Sequence, residues 1–383
     1  RPGVTGVYDN QNPFARVISA DESLVMQFRN AGYETLGMGK LWHGGLGFPE
    51  QWSATGGRPR GGNRPPARLE DNSIGPIRFG VIDGGDEAVP DTATADYGVA
   101  ELARKHERPF FLTLGFHKPH MPWNVPRKYF ELHPLAGIQL PPHRTNDLDD
   151  LPTAGVKMAG PTGDHARVLA SGRWKEAVQA YLAAISYLDA QVGRVLDAFD
   201  RSAYATNTII CFWGDHGWHF GEKSHWRKFA LWEEATRAPF IWVVPGVTQP
   251  GGVCQRTVDF MSIYPTLCSL AGISVPKHVE GENIRSLLVN PSAHWDKPAI
   301  TTFGRNNHAI RTERWRYIRY HDGGEELYDH GQDPYEWTNL APRTAESSPV
   351  LKELARWLPT VNKPPVRRAG AAGRDGDERE PDP

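Results

Sequence analysis

The chain has 383 residues, with 43 lysines and arginines against 45 aspartates and glutamates, for a formal net charge of −2. That balance removes the bulk electrostatic case for nucleic acid or an anionic membrane surface, and no uninterrupted apolar run of the ~18 residues a membrane helix needs occurs. Three cysteines, Cys211, Cys254 and Cys268, form no Cys-x-x-Cys pair, which supports neither a disulfide framework nor a thiolate zinc site.

Arg1-Pro2 opens the chain without methionine or a signal-peptide pattern, so the chain is expected to be part of a longer protein whose targeting cannot be read here. Ser19-Ala20-Asp21-Glu22 reads as a capping box. Leu24, Val25 and Phe28 then make one helical face, with Gly32 at the expected stop. Tyr33 to Met38 reads as a strand, followed by the glycine-rich loop Gly39-Lys40-Leu41-Trp42-His43-Gly44-Gly45. Residues 53–90, rich in Gly, Pro and Arg, are expected to be irregular, and Asp91 to Glu107 helical. Pro109 to Gly115 is a short apolar run suited to a buried parallel strand, and it ends in Phe116-His117-Lys118-Pro119-His120. The many prolines of 121–170 predict mostly loop. Arg173 to Asp200 is the clearest helix, its apolar residues Val178, Tyr181, Leu182, Ile185, Leu188, Val192 and Val195 following helical spacing.

Thr208 to Trp213 is another apolar strand, broken abruptly by Gly214-Asp215-His216-Gly217. Ala238 to Val244 reads as a buried strand, and Asp259 to Ala271 as helical, with Pro265 opening its second part and Gly272 ending it. Arg314 to Tyr320 alternates as a strand does, with Leu327-Tyr328-Asp329 after it. Strands alternating with helices predict an α/β fold, a doubly wound, mostly parallel sheet flanked by helices, with a small C-terminal α+β subdomain. The expected divisions are 1–290, 291–362 and a disordered tail over 363–383, whose composition cannot bury enough apolar area to order.

Three strands end in polar clusters, where open α/β sheets carry their ligands. Lys40 and His43 sit among glycines; an ammonium there suits a phosphate or sulfate, although a solvated lysine with a loop histidine is the plainer alternative. In His117-Lys118-Pro119-His120 the proline disfavours helix at Lys118, so the histidines lack the helical geometry of His-Glu-x-x-His zinc sites, and a strand-end histidine suits a general acid. Asp215 and His216 end a buried strand, where a carboxylate needs a cation or hydrogen bonds. Calcium or magnesium suits the oxygen ligand, and a zinc site of His216, His219 and His225 is the nitrogen-rich alternative. Lys228, just past this loop, suits an anion clamp. Thirteen tryptophans with 39 glycines and 32 prolines favour a loop-rich enzyme with aromatic-lined clefts. Trp123 and Trp218, beside these clusters, can be pocket walls or core.

Taken together and in order, these motifs resemble the sulfatase family of the alkaline-phosphatase superfamily, and within it the iduronate-2-sulfatase group. The matching pieces are Gly39 to His43, Gly115 to Trp123, Gly214 to Glu222 with Trp226 and Lys228, Ala238-Pro239-Phe240-Ile241, Asp259 to Leu267, Glu280-Gly281, and Leu327-Tyr328-Asp329 with Asp333-Pro334, spanning about residues 1 to 342. By position the resemblance implies that Lys40 and Lys228 hold sulfate oxygens, that His43 contacts the nucleophile and helps regenerate it, and that His120 protonates the leaving alcohol. Asp215 and His216 would be metal ligands, to calcium in the first place and magnesium in the second. His117, Trp123, Trp218 and His308 are candidates for substrate contact, His308 in a C-terminal loop that can equally be a solvated turn. The implied partner is a sulfated small molecule or carbohydrate, and the implied location is outside the cytoplasm.

The chain departs from the family in one respect. Sulfatases make a formylglycine nucleophile from a Cys/Ser-x-Pro-x-Arg motif, and none of the three cysteines begins one. The family's two N-terminal metal-binding aspartates are also missing. The nucleophile is therefore expected upstream, and these 383 residues alone are expected to be inactive. A phosphoesterase or phosphonate hydrolase of the same superfamily, and a non-catalytic binder of sulfated glycans, are the competing assignments.

Overall fold

The computed structural model describes residues 1–10, 12–43, 47–57 and 69–366. The chain divides into two compact units, one made of Ser19–Leu140 and Ala166–Thr208, the other of Arg1–Ile18, Pro141–His165 and the chain from Ile209 onward. Among the described residues no helix is long and apolar enough to cross a membrane.

The first, parallel-sheet unit holds strands β1 (Glu34–Gly39), β2 (Ala54–Gly57), β3 (Leu69–Asp71), β4 (Phe79–Ile82), β5 (Phe110–Gly115) and β6 (Trp123–Pro126). β1 lies between β2 and β5 and is parallel to both, while β4 pairs antiparallel with β3 and parallel with β6. Central β1 is buried from Thr35 to Gly39, as an apolar run in the middle of a parallel sheet should be. The preceding helix, Leu24–Asn30, starts where the Ser23 hydroxyl accepts the Met26 N–H at 3.1 Å, and it packs Phe28 against Phe111, ring centroids 4.5 Å apart. The Ser19/Glu22 capping box forms too, but around a 3-10 turn, Ala20–Glu22, one turn earlier than the helix proper. Full burial of side chains such as Leu36 and Phe79 contributes about 1.5–3 kcal/mol each.

Helix Asp91–Ala103 leads into β5, and it packs against the long helix Trp174–Asp200. The long helix presents a buried stripe of Ala177, Ala180, Ala183 and Ala184 that permits close approach, and the Tyr187 hydroxyl lies 2.8 Å from that of Thr92. Two sequence expectations need correction here. Residues 53–90 contain β2, β3 and β4, with 58–68 outside the described residues, and 121–170 contain β6 and the helices Arg127–Glu131, Thr153–Ala159 and Asp164–Ser171. These strands are three or four residues long, too short for a period to be read.

The second, antiparallel unit holds β7 (Ile210–Trp213), β8 (His219–Phe220), β9 (Trp226–Arg227), β10 (Phe240–Val243), β11 (Ala299–Thr302), β12 (His308–Arg311), β13 (Trp315–Arg319) and β14 (Glu325–Asp329). β7 pairs antiparallel with β10. Both were expected to be buried, yet Trp213, Ile241 and Val243 are exposed; a short apolar run by itself reports neither burial nor direction. β11 to β14 form a four-stranded antiparallel meander, and Ile310, Tyr317 and Leu327 of its strands form a core with Leu354 of the helix Thr344–Leu354. This sheet falls in the same compact unit as β7 and β10. Of the tail expected to be disordered, 367–383 lie outside the described residues, whereas the Lys363 and Val366 N–H groups donate to the Gly3 and Gly6 carbonyls, both at 2.9 Å.

Candidate active site

Parallel strands in register finish at one edge, and Gly39 of β1 stands opposite Gly115 of β5. Glycine is required at both ends. Gly39 has φ 90°, and a Cβ there would lie 2.1 Å from the Gly115 carbonyl oxygen; a Cβ on Gly115 would lie 2.1 Å from the Lys40 carbonyl oxygen. This approach lets the Lys40 N–H donate to the Gly115 carbonyl at 2.7 Å. Lys40 and the segment Phe116-His117 therefore leave the sheet side by side.

The His117–His120 turn is closed by the His120 N–H donating to the His117 carbonyl at 3.0 Å, and the two imidazole centroids are 5.0 Å apart. The Met121 carbonyl receives both rings, His120 through Nδ1 at 2.7 Å and His117 through Nε2 at 3.1 Å. A proton on His120 Nδ1 makes Nε2 the atom that can deliver or take a second one. Burial, with the Lys118 charge next and Lys40 contributing, holds His117 below the usual imidazole range. Lys118 is buried, donates from Nζ to the Pro122 carbonyl at 2.6 Å, and is pulled down to about 8 by burial against the opposing charge of Asp91. Asp91 escaped sequence reasoning. It is a buried carboxylate that accepts the N–H groups of both His117 and Lys118, and its one sequence signal is an acid opening a helix after a proline.

His43 is exposed in the turn after β1, and the neighbouring Trp42 meets Phe48 edge-on at 5.7 Å. Trp123 is 0% exposed; its indole N–H donates to the Pro119 carbonyl at 2.8 Å and its ring meets Tyr181 edge-on. It braces the histidine turn from the core, the core place of the two expected for it, and not as a wall that touches substrate.

In the antiparallel unit, β7 delivers Asp215 and His216. His216 Nδ1 donates to the Gly217 carbonyl at 2.8 Å, leaving its Nε2 3.6 Å from Asp215 Oδ1. The Asp215 side chain is 56% exposed. Trp218 is buried, its ring centroid 6.1 Å from that of His216. The following chain reaches Lys228 through left-handed backbone at Lys223, Ser224 and Arg227, which costs about 1–2 kcal/mol per non-glycine residue. Three anchors to 141–165 hold it there. Lys223 Nζ donates to Asp147 at 2.8 Å, both side chains 2% exposed; His225 Nδ1 donates to the Ala159 carbonyl at 2.8 Å; Arg227 Nε donates to Asp164 at 2.7 Å. Lys228, half-buried, has Nζ 5.4 Å from the centroid of the Phe229 ring. Glu222 accepts the Phe220 N–H at 2.6 Å, and burial pushes its carboxyl up to about 7.

Two expectations about histidines change. Burial, with the neighbouring His225, holds the fully buried His219 well below the usual range, so it is neutral; its ring centroid lies 5.0 Å from that of His225. Among the described residues His216, His219 and His225 do not bring three ligand atoms together, which removes the zinc alternative. His308, expected in a loop, is the first residue of β12 and buried, with Nδ1 3.0 Å from the Thr302 hydroxyl.

The grouping that does bring three donor atoms together among the described residues is Glu233, His330 and Glu336. Its charges are already matched. Buried Arg316 pairs with both carboxylates, Arg311 Nε donates to Glu233 at 3.0 Å, and His330 Nε2 lies 2.8 Å from Glu336. Burial alone would raise Glu233, yet Arg316 and Arg311 bring it to about 2. It is an ion-pair network joining helix Glu233–Thr236 to the meander. Asp215 Oδ1 and His216 Nε2, 3.6 Å apart, present one oxygen and one nitrogen donor to the same space, a mixed set that does not select one metal.

Lys40, His43, His117, His120 and Trp123 thus belong to the parallel-sheet unit, and Asp215, His216, Trp218, Lys228 and His308 to the antiparallel unit. Residues 3–273 match the family model described as Sulfatase, and 221–363 match one described as N-sulphoglucosamine sulphohydrolase, C-terminal. A sulfatase of Formosa agariphila is 36% identical, over 94% of this chain and 75% of its own length. Iduronate 2-sulfatase of Mus musculus is 29% identical, over 83% of this chain and 73% of its own. Among solved structures, the phosphonate monoester hydrolase of Silicibacter pomeroyi aligns with a TM-score of 0.75 at 18% identity, covering 93% of this chain and 83% of that one, a likeness of fold.

Proposed function

From the premise that this chain belongs to the sulfatase family, we propose that it carries most of the catalytic domain of a hydrolase that releases sulfate from a sulfated carbohydrate, of the kind named by its iduronate 2-sulfatase relatives. The observation that carries this is the shared edge of β1 and β5, where in-register glycines bring the Lys40 backbone against the strand that leads into the His117–His120 turn.

In this assignment Lys40 and Lys228 bind and orient the sulfuryl oxygens, two ammonium groups facing charge that grows in the transition state. His120, its Nδ1 committed to the Met121 carbonyl, donates from Nε2 to the leaving alcohol oxygen. His43 takes a proton in the step that releases sulfate. A formylglycine from upstream of these residues supplies the nucleophilic oxygen, since no Cys/Ser-x-Pro-x-Arg motif occurs here. Asp215 and His216 would hold a divalent cation, calcium before magnesium, that adds positive charge beside the sulfate. The family resemblance assigns the parent enzyme to a place outside the cytoplasm.

In the parent enzyme, His120→Ala should abolish hydrolysis of an alkyl or sugar sulfate, and Lys228→Ala should lower kcat toward an aryl sulfate by about 10²–10³-fold; full activity in both would overturn the assignment. Faster turnover of an aryl phosphate or phosphonate monoester than of the sulfate would move the protein to the phosphoester or phosphonate hydrolases. A parent with no Cys or Ser in the nucleophile motif would make it a binder of sulfated glycans.

A further inference from the structure

We propose that Asp91 is a positioning residue for the proton-donating turn, its carboxylate holding the backbone from which His117 and His120 project. This rests on His120 being the general acid. Asp91 opens the helix Asp91–Ala103, and its side chain is buried. Both carboxylate oxygens meet the His117 N–H, at 2.9 and 3.0 Å, and one also takes the Lys118 N–H at 2.7 Å. One rigid, charged acceptor thus grips two successive peptide groups, and charge-assisted bonds of this kind are the strong ones.

The constraint passes along the turn. With the peptide of His117 fixed, its carbonyl is in place for the His120 N–H at 3.0 Å, and the chain then brings the Met121 carbonyl to His120 Nδ1 at 2.7 Å. That last bond selects the tautomer whose Nε2 faces the reaction. The far end is tied by Lys118 Nζ on the Pro122 carbonyl at 2.6 Å, and Asp91 is the nearby carboxylate that offsets this buried ammonium. Removing Asp91 would leave a buried and a half-buried N–H group without their acceptor, and the buried Lys118 ammonium without its opposing charge, in the segment that aims the acid.

Leaving-group dependence separates this role from general loss of structure, because an alcohol that leaves poorly needs the proton and a nitrophenolate does not. In the parent enzyme, His120→Ala should lose about 100-fold more kcat/KM on an alkyl or sugar sulfate than on 4-nitrophenyl sulfate. Asp91→Ala should show the same bias at roughly tenfold or more, chiefly in kcat, and Asp91→Asn, which keeps one acceptor, a smaller one. Equal losses on both substrates in Asp91→Ala, with the bias intact in His120→Ala, would overturn the role of Asp91 alone. No bias in His120→Ala would remove the general acid and this proposal with it. Independently of turnover, NMR of the 383-residue chain should show a protected His120 Nδ1–H that is lost in Asp91→Ala while the thermal melt stays cooperative. Persistence of that proton in the variant would overturn the proposal, and if Asp91→Ala does not fold, Asp91→Asn is judged by the same criteria.

Discussion

The two units present their candidate catalytic groups by different devices. In the parallel-sheet unit, Lys40 and the His117–His120 turn are carried by the ends of neighbouring regular strands, and the backbone of each strand holds the other at Gly39 and Gly115. In the antiparallel unit, β7 and its partner are four residues each, and Lys228 is reached through a segment with three non-glycine residues in left-handed backbone, held by one buried and one half-buried ion pair. Where main-chain pairing is available, it places the strand ends at Gly39 and Gly115, and the turn beyond them is held by Asp91. Where it is not, Asp147, Asp164 and the Ala159 carbonyl supply the positioning, so removal of a single remote charge should cost more stability there.

The strongest way to break that contrast is Lys223→Ala. It leaves the Asp147 carboxylate buried without its cation, and should cost roughly 3–5 kcal/mol, read as a lowered urea midpoint at unchanged slope. A loss under 1 kcal/mol would mean that the segment is not held by that pair. Next, Lys228→Ala should lower kcat toward an aryl sulfate by about 10²–10³-fold with stability unchanged, the loss typical of one donor to transition-state charge. Glu222→Gln tests the same segment through pH. The carboxyl titrates at about 7 when folded, against an ordinary value of 4.5, so the folded chain keeps a proton that the unfolded chain has released between those values. The native protein is therefore favoured most below about pH 4.5 and loses roughly 2–3 kcal/mol as pH rises to 7. Glu222→Gln should flatten that slope in urea titrations taken from pH 5 to 8. The smallest effect is expected in the other unit, where Gly39→Ala should cost about 1–3 kcal/mol through its φ of 90° and the contact with Gly115. A neutral Gly39→Ala would show that the strand ends tolerate separation, and the contrast would fail from that side.

Much of the parallel-sheet unit was legible because its signals are local. The apolar runs of β1 and β5 and the extent of the helix Trp174–Asp200 each declare themselves within one window, and the motifs at the strand ends follow directly, although that helix buries its alanine stripe while Ile185 of the expected face is exposed. Asp91 was not legible, because an aspartate at a helix start is ordinary and its partners, His117 and Lys118, lie in a separate element. Trp123 and His308 were read as possible contacts with substrate because of their neighbours in sequence, and both proved to be buried. The antiparallel pairing of β7 with β10 was equally hidden, since identical apolar runs serve either direction.

Composition and spacing were enough to determine alternating strands and helices and the strand ends that carry lysine, histidine and aspartate, while the sulfatase family followed from the resemblance of the ordered motifs. Strands, helices and their ends are properties of residue type and spacing, which short-range sterics and hydrophobic periodicity write directly into the chain. Tertiary structure alone decided strand direction, which histidines are buried and neutral, that Glu233, His330 and Glu336 satisfy one another with Arg316, and that Asp91 grips the turn. Each of those depends on groups distant in sequence meeting in a poorly solvated interior, where the energy of a charge or a hydrogen bond is set by its neighbours in space.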